Sequence, residues 1–369
     1  MTQELDIIVS GHLCLDLIPA MNHIPPEALL QAGRLLETGP MTISTGGSVS
    51  NTGLALNRLG VNVRLVSTVG DDLIGRVIVA FVKDRDPVLG ETIRQKHGLP
   101  SSYTVVLSPQ KSDRTFLHCP ANNVTFGLED VDFDLVARAK IFHLGYPPIL
   151  PRLMANDGDE LTAIFQKAHA SGAVTSLDMS LPDPDGPAGR VNWRVLLEKT
   201  LPFVDIFLPS IEEILFMLRR VDFDRWHGAV LSHITQGYLR ELADELLTMG
   251  VVIAGFKLGE LGMYLQTGDD LSRLKKLGLD EAVWRNVEVY LPAFEVEVAG
   301  TTGAGDSAYA GFLTALLHRL PPEEALRFAC AVGACNVEAP DATSGVRSFE
   351  ETMQRLQAGW QARTHTLTA

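Results

Sequence analysis

Phe294-Glu295-Val296-Glu297-Val298-Ala299 alternates apolar and acidic residues, and Gly300-Thr301-Thr302-Gly303-Ala304-Gly305-Asp306-Ser307 follows it directly. Beyond that, Tyr309, Phe312, Leu313, Leu316, Leu317 and Leu320 fall on one face at helical spacing. The alternation predicts a strand over 294–299, and the spacing predicts a helix after the turn. A turn of small residues between a strand and a helix N-terminus brings several N–H groups and the positive end of the helix dipole to one point. Such a turn suits an anion.

Working outward, the same strand–helix alternation fills most of the chain. Asp6-Ile7-Ile8-Val9-Ser10-Gly11 reads as a buried strand ending at a glycine, and Thr45-Gly46-Gly47-Ser48 opens a helical pattern that Gly60 stops. Further strands are expected at 61–69, 141–144, 174–177, 206–208, 251–256 and 262–266, with helices at 159–170, 211–219 and 239–249. This order predicts an α/β fold, a doubly wound, mostly parallel sheet with helices on both faces. Two stretches break the alternation, about 13–45 and 101–118. The first is rich in proline. In the second, 103–107 and 115–118 read as short strands around a polar turn. Lying between βα units, the two stretches can pair as a small separate sheet, a lid. A single domain over 1–360 is expected, with 361–369 as a polar tail that frays.

The 369 residues are 46% hydrophobic and 21% charged, enough for a large core. The net charge is −14, and the adjacent basic residues Arg219-Arg220 and Lys275-Lys276 are isolated pairs. Neither a nucleic-acid partner nor an anionic membrane fits that balance. No apolar run approaches the roughly 20 residues that cross a bilayer. The N-terminus lacks the pattern of a signal peptide. Four cysteines, Cys14, Cys119, Cys330 and Cys335, form no Cys-x-x-Cys pair and suit reduced thiols in a cytoplasmic protein.

Three chemistries fit the turn. A Walker loop matches Gly300 and Gly305 in spacing, but Asp306 stands where a lysine is required. A dinucleotide fingerprint matches Gly303, Gly305 and Ala308. It lies too near the C-terminus for a second nucleotide-binding half, and Glu323 and Glu324 start a helix instead of ending a strand. Phosphoryl transfer uses the aspartate: N–H groups meet the transferring group, and Asp306 accepts the proton of an attacking hydroxyl. An N-cap role for Asp306 is the simpler alternative. Two threonines, Gly-Ala-Gly and Asp together favour catalysis.

Gly300 to Ser307 resembles the Asp-Thr-x-Gly-Ala-Gly-Asp signature of the ribokinase-like carbohydrate kinases, the phosphofructokinase-B family. Gly46-Gly47-Ser48-Val49-Ser50-Asn51-Thr52-Gly53, with Gly60 and Gly70 beyond it, resembles the family's first signature, and Gly70-Asp71-Asp72-Leu73-Ile74-Gly75 its Gly-Asp-Asp-x-x-Gly. Gly11 to Asp16 resembles the opening strand that ends in a sugar-binding aspartate. The resemblance covers nearly the whole chain. It implies an ATP- and Mg²⁺-dependent sugar kinase with Asp306 as base and Gly303, Ala304 and Gly305 as anion hole. Asp16, Gly46, Gly47 and Asn51 would bind sugar hydroxyls. Ser210, Lys257, Gly259, Gly262, Thr302, Asn336 and Gly345 would serve ATP, and Glu213 and Asp178 the metal.

Two positions depart from the family. Ser210 replaces an asparagine. Gly300 replaces an aspartate that in relatives helps hold a monovalent cation, so potassium activation is in doubt. Arg114, His118 and Asn122, in or just after the second lid stretch, and Tyr146, after a strand end, are candidates for substrate selectivity. A nucleoside kinase of the same fold, or a catalytically silent sugar-binding or regulatory relative, are the alternatives. Lid strands in this family often pair between subunits, so a homodimer through the lid is a further expectation.

Overall fold

The computed structural model describes residues 5–110, 115–226, 228–364 and 367. In chain order its strands are β1 (Leu5–Gly11), β2 (Cys14–Pro19), β3 (Met41–Gly46), β4 (Val63–Gly70), β5 (Ile93–Lys96), β6 (Tyr103–Leu107), β7 (Thr115–Cys119), β8 (Ala139–Gly145), β9 (Val174–Asp178), β10 (Ile206–Phe207), β11 (Ile253–Lys257), β12 (Met263–Thr267) and β13 (Glu288–Leu291). Nine of them form one sheet, in the order β13-β12-β11-β10-β9-β8-β1-β4-β5. From β11 to β5 every pairing is parallel, and β12 is antiparallel to both its neighbours.

β1 lies inside the sheet because it can bury both faces. Ile7 and Val9 point to one side, into a core cluster to which helices Ser48–Arg58, Ala304–Leu317 and Pro322–Val337 also contribute. Ile8 points to the other, into a second cluster to which helices Pro151–Ala170, Ile211–Leu218 and Gln236–Thr248 contribute. A run of β-branched residues with no polar alternation is what a parallel strand covered on both faces requires.

The doubly wound sheet expected from the sequence is therefore present, and so is the lid. β3-β2-β6-β7 make a separate four-stranded sheet. Its two halves meet where β2 runs parallel to β6, Asp16 opposite Thr104. The lid's outer strands leave Met41, Ile43, Phe116 and Leu117 exposed.

Two expectations need correction. No strand forms over 294–299; Phe294 makes one isolated bridge to Ala362, and the rest is irregular backbone. Helix 159–170 exists, but it follows a first turn from Pro151, with Asn156, Asp157 and Gly158 in left-handed conformation between them. Gln361 to Arg363, within the segment read as a tail, exchange backbone hydrogen bonds with Ala293 and Glu295, and Trp360 stacks on Phe294.

The fold positions a site at the carboxyl ends of the parallel strands. Gly11 ends β1, Gly145 leads into Tyr146, Asp178 ends β9, Ser210 follows β10 and Lys257 ends β11.

Candidate active site

Helix Ala304–Leu317 begins at Gly303, whose φ of +70° lies in the left-handed region that glycine enters without a Cβ penalty. A side chain there would also run into the backbone of Ala342. Asp306 sits in the first turn, 3% exposed, and it does not cap the helix. The simpler N-cap role is thereby excluded. Its carboxylate instead accepts from three side chains brought by other elements. Asn51 Nδ2 donates to Oδ2 at 3.0 Å and Thr52 Oγ1 to Oδ1 at 3.2 Å, both from helix Ser48–Arg58. The Tyr146 hydroxyl lies 2.8 Å from each oxygen. Tyr146 reaches it from a left-handed backbone, φ +67°, just past β8. Burial pushes the Asp306 carboxyl above the ordinary carboxylate range, while Lys257 and these three donors pull it back.

Lys257 is the centre of charge. Its ammonium donates to Asp178 Oδ1 at 2.6 Å, with side chains 10% and 0% exposed. It also lies over the Tyr309 ring, 5.5 Å from the centroid. Burial alone would depress Lys257, but the carboxylates of Asp178, Glu213 and Asp306 outweigh it and hold the ammonium charged. Desolvation raises Asp178 to about 6 and Glu213 to about 7, against the pull of Lys257 on both. Asp178 Oδ2 is buried without a partner. Three acids around one ammonium leave a deficit of positive charge that a hard cation can fill.

Ser210 has a use that the family comparison hid. Its hydroxyl accepts from Glu213 N at 3.2 Å, and Glu213 Oε2 accepts from Ser210 N at 2.7 Å. This is a capping box on helix Ile211–Leu218, and it fixes the Glu213 carboxyl beside Lys257. The Ser-x-x-Glu spacing before an apolar run is a signal that the sequence carried.

Beside Lys257 opens a cavity of roughly 310 Å³, lined by Gly259, Gly262, Met263, Thr301, Ala304, Gly305 and the apolar side chains of Phe294, Val296, Val298 and Val337. The unpaired alternation of 294–299 thus forms its wall. Ser210, Thr302, Asn336 and Gly345 stand outside the lining. Asn336 donates to the Thr302 carbonyl at 2.9 Å, and Gly345 packs on the backbone of Cys335 and Asn336, so these three brace the turn from behind.

Polar side chains also gather where the lid meets the main sheet. Asp16 on β2 lies against Gly46, and burial raises its carboxyl to about 6 although Cys14 and Thr104 hydrogen bond to it. Gly47, φ +88°, starts helix Ser48–Arg58, and a side chain there would strike His12. Asn51 keeps its Oδ1 without a partner. His118 on β7 pairs with Thr104 at 3.0 Å. Asn122 stands apart from this group: its amide joins Thr68 and Ser102 as an internal brace. Arg114 lies outside the described residues. The sequence reading missed His12 and Thr52. Thr52 had a signal in its place beside Asn51, whereas nothing local marked His12.

The chain and its fold are similar to those of other proteins. The chain is 25% identical over 368 residues to 5-dehydro-2-deoxygluconokinase of Geobacillus kaustophilus, covering 98% of this chain and 97% of that one. Its fold matches Arabidopsis thaliana ribokinase complexed with ribose and ATP, with TM-score 0.71 at 18% identity over 96% of this chain and 99% of the other. Fructokinase of Xylella fastidiosa with bound ATP aligns with TM-score 0.69 at 19% identity over 95% and 98%. The profile of the pfkB family carbohydrate kinases matches residues 5–348, and the chain belongs to that family.

Proposed function

We propose that Asp306 is the general base of an ATP-dependent sugar phosphorylation, with the backbone N–H groups of Gly303, Ala304, Gly305 and Asp306 receiving the transferring phosphoryl group. The observation that carries this is the Asp306 carboxylate, buried in the first helical turn and aimed by Asn51, Thr52 and Tyr146. The acceptor hydroxyl gives its proton to Asp306 as its oxygen forms the new bond to the γ-phosphorus. The bond from that phosphorus to the β,γ-bridging oxygen breaks, and ADP leaves. Lys257 favours the ionised form of Asp306 against the effect of burial, and a base must be ionised at the start of the step.

The apolar cavity suits adenine, with Gly259 and Gly262 in its floor. Asp16, Gly46, Gly47, the free Oδ1 of Asn51 and His118 take the sugar hydroxyls, and Arg114 is proposed as a further determinant of substrate selectivity. Glu213 and Asp178 fit a Mg²⁺ ion held largely through water, since their oxygens are hard donors and Asp178 Oδ2 lacks a partner. Such an ion neutralises charge on the β- and γ-phosphates. The polar side chains at the lid favour a sugar over a nucleoside. Four unpaired cysteines suit a reducing, cytoplasmic compartment. Exposed Met41, Ile43, Phe116 and Leu117 on the lid's edge strands support a homodimer through the lid. Among the described residues no helix is long and apolar enough to cross a membrane.

Asp306→Asn tests the assignment. The variant should bind ATP normally in a thermal-shift titration and lose roughly 10²–10⁴-fold in turnover. Near wild-type turnover sinks it.

A further inference from the structure

We propose that His12, Cys14 and His118 form a binding site for a thiophilic divalent cation of the Zn²⁺ class, inside the acceptor pocket, where the metal competes with the sugar. One ligand atom from each of the three lies within 4.8 Å of the other two. His12 and Cys14 flank Leu13 at the junction of β1 and β2, and lid strand β7 brings His118 to them.

Independent of that spacing, His12 is 2% exposed and both its ring nitrogens lack a hydrogen-bond partner. An imidazole carries at least one N–H and one lone pair or a second N–H. Burying both idle is costly, so the pocket is built for something the chain does not supply. The His12 and His118 rings are 5.1 Å apart. His118 Nδ1 is held by Thr104 Oγ1 at 3.0 Å, leaving Nε2 open. The same Thr104 hydroxyl lies 3.6 Å from Cys14 Sγ. A second-layer hydroxyl that orients two ligands is the usual support of a metal centre.

Two imidazoles and a thiol select borderline and soft cations. Mg²⁺ demands six oxygens near octahedral geometry and is excluded by the same donors. The three protein donors leave the fourth tetrahedral position to water. Metal binding forms the S–M bond at Cys14 as its S–H bond breaks, and one proton leaves to solvent. His118 is exposed and provides the way in.

Competition with sugar rests on placing the sugar beside Asp16 and Gly47; the metal site itself does not. Titration of the full chain with Co²⁺ alone, without ATP, tests the site. A thiolate-to-cobalt charge-transfer band should grow to one equivalent and vanish with a chelator. Cys14→Ser should abolish it, and Cys119→Ser should leave it. His118→Asn, on an exposed strand that does not endanger folding, should weaken Co²⁺ binding at least tenfold. No band, or a band that survives in Cys14→Ser or keeps its affinity in His118→Asn, overturns the site. In the kinase assay, Zn²⁺ inhibition should be relieved by raising sugar and not by raising ATP. A band with inhibition indifferent to sugar leaves the metal site standing and removes the sugar from this pocket.

Discussion

Replacing Lys257 by methionine removes one cation from among three buried carboxylates while nearly preserving side-chain length. Its partner Asp178 is wholly buried at 2.6 Å and has one oxygen already unpartnered. Breaking such a pair by deleting one member costs about 3–5 kcal/mol, because the other charge stays buried. That is a large share of the ~5–15 kcal/mol that holds a typical protein folded. The cost must depend on pH, and its sign follows from the carboxyls. Asp178 and Glu213 are raised to about 6 and 7 in the folded protein. The unfolded chain releases these protons near pH 4, so the native state holds the extra protons and loses stability as pH rises through that window. Without Lys257 both carboxyls rise further. The deficit of Lys257→Met should therefore be full at pH 8 and shrink to about 1 kcal/mol at pH 5, where the carboxyls are neutral. Urea unfolding of both proteins at the two pH values, in metal-free buffer, measures it. Lys257→Met with Asp178→Asn should recover most of the loss at pH 8. An equal deficit at both pH values, or no recovery in the double variant, refutes the account of Lys257 as counter-charge.

Two shorter expectations follow from the lid. Sugar binding through an ionised Asp16, whose carboxyl sits at about 6, should weaken below that pH, with KM for sugar rising up to about tenfold per unit. Asp16→Asn should flatten this limb; a KM unchanged between pH 7 and 5 in the wild type counts against the contact. Phe116→Ser with Leu117→Ser removes exposed apolar surface from β7 and should convert a dimer to a monomer in sedimentation equilibrium. A wild-type chain that sediments as a monomer ends the dimer proposal.

Where the pattern is local, the sequence was legible. Ile7, Ile8 and Val9 announce a strand covered on both faces, and Tyr309 to Leu317 announce a helix, because each period is carried by adjacent residues. Phe294, Val296 and Val298 alternate as faithfully, yet no strand runs beside them, and their side chains face the cavity instead. Alternation reports a one-sided surface; pairing depends on a neighbour that the pattern does not mention. β5 failed for the opposite reason. Ile93-Arg94-Gln95-Lys96 is polar because it is an edge strand, and only its pairing with β4 makes it one. The site divided in the same way. Gly303 to Asp306 is contiguous and readable, whereas the bond from Thr52 to Asp306 spans 254 residues.

That long-range bond also explains why the two glycine-rich turns belong to one machine. Helix Ser48–Arg58 starts at Gly47 and one turn later presents Asn51 and Thr52 to Asp306. Asn51 divides its amide, with Nδ2 on Asp306 and Oδ1 without a partner. A sugar engaging Gly47 and Asn51, as proposed, would press on the same helix that aims the carboxylate. Tyr146 closes the set from just past β8, its hydroxyl shared between both oxygens of Asp306. Helices move as units more readily than they bend, so on the proposed assignment substrate contact and base orientation would be coupled through eleven residues of helix rather than through a flexible loop.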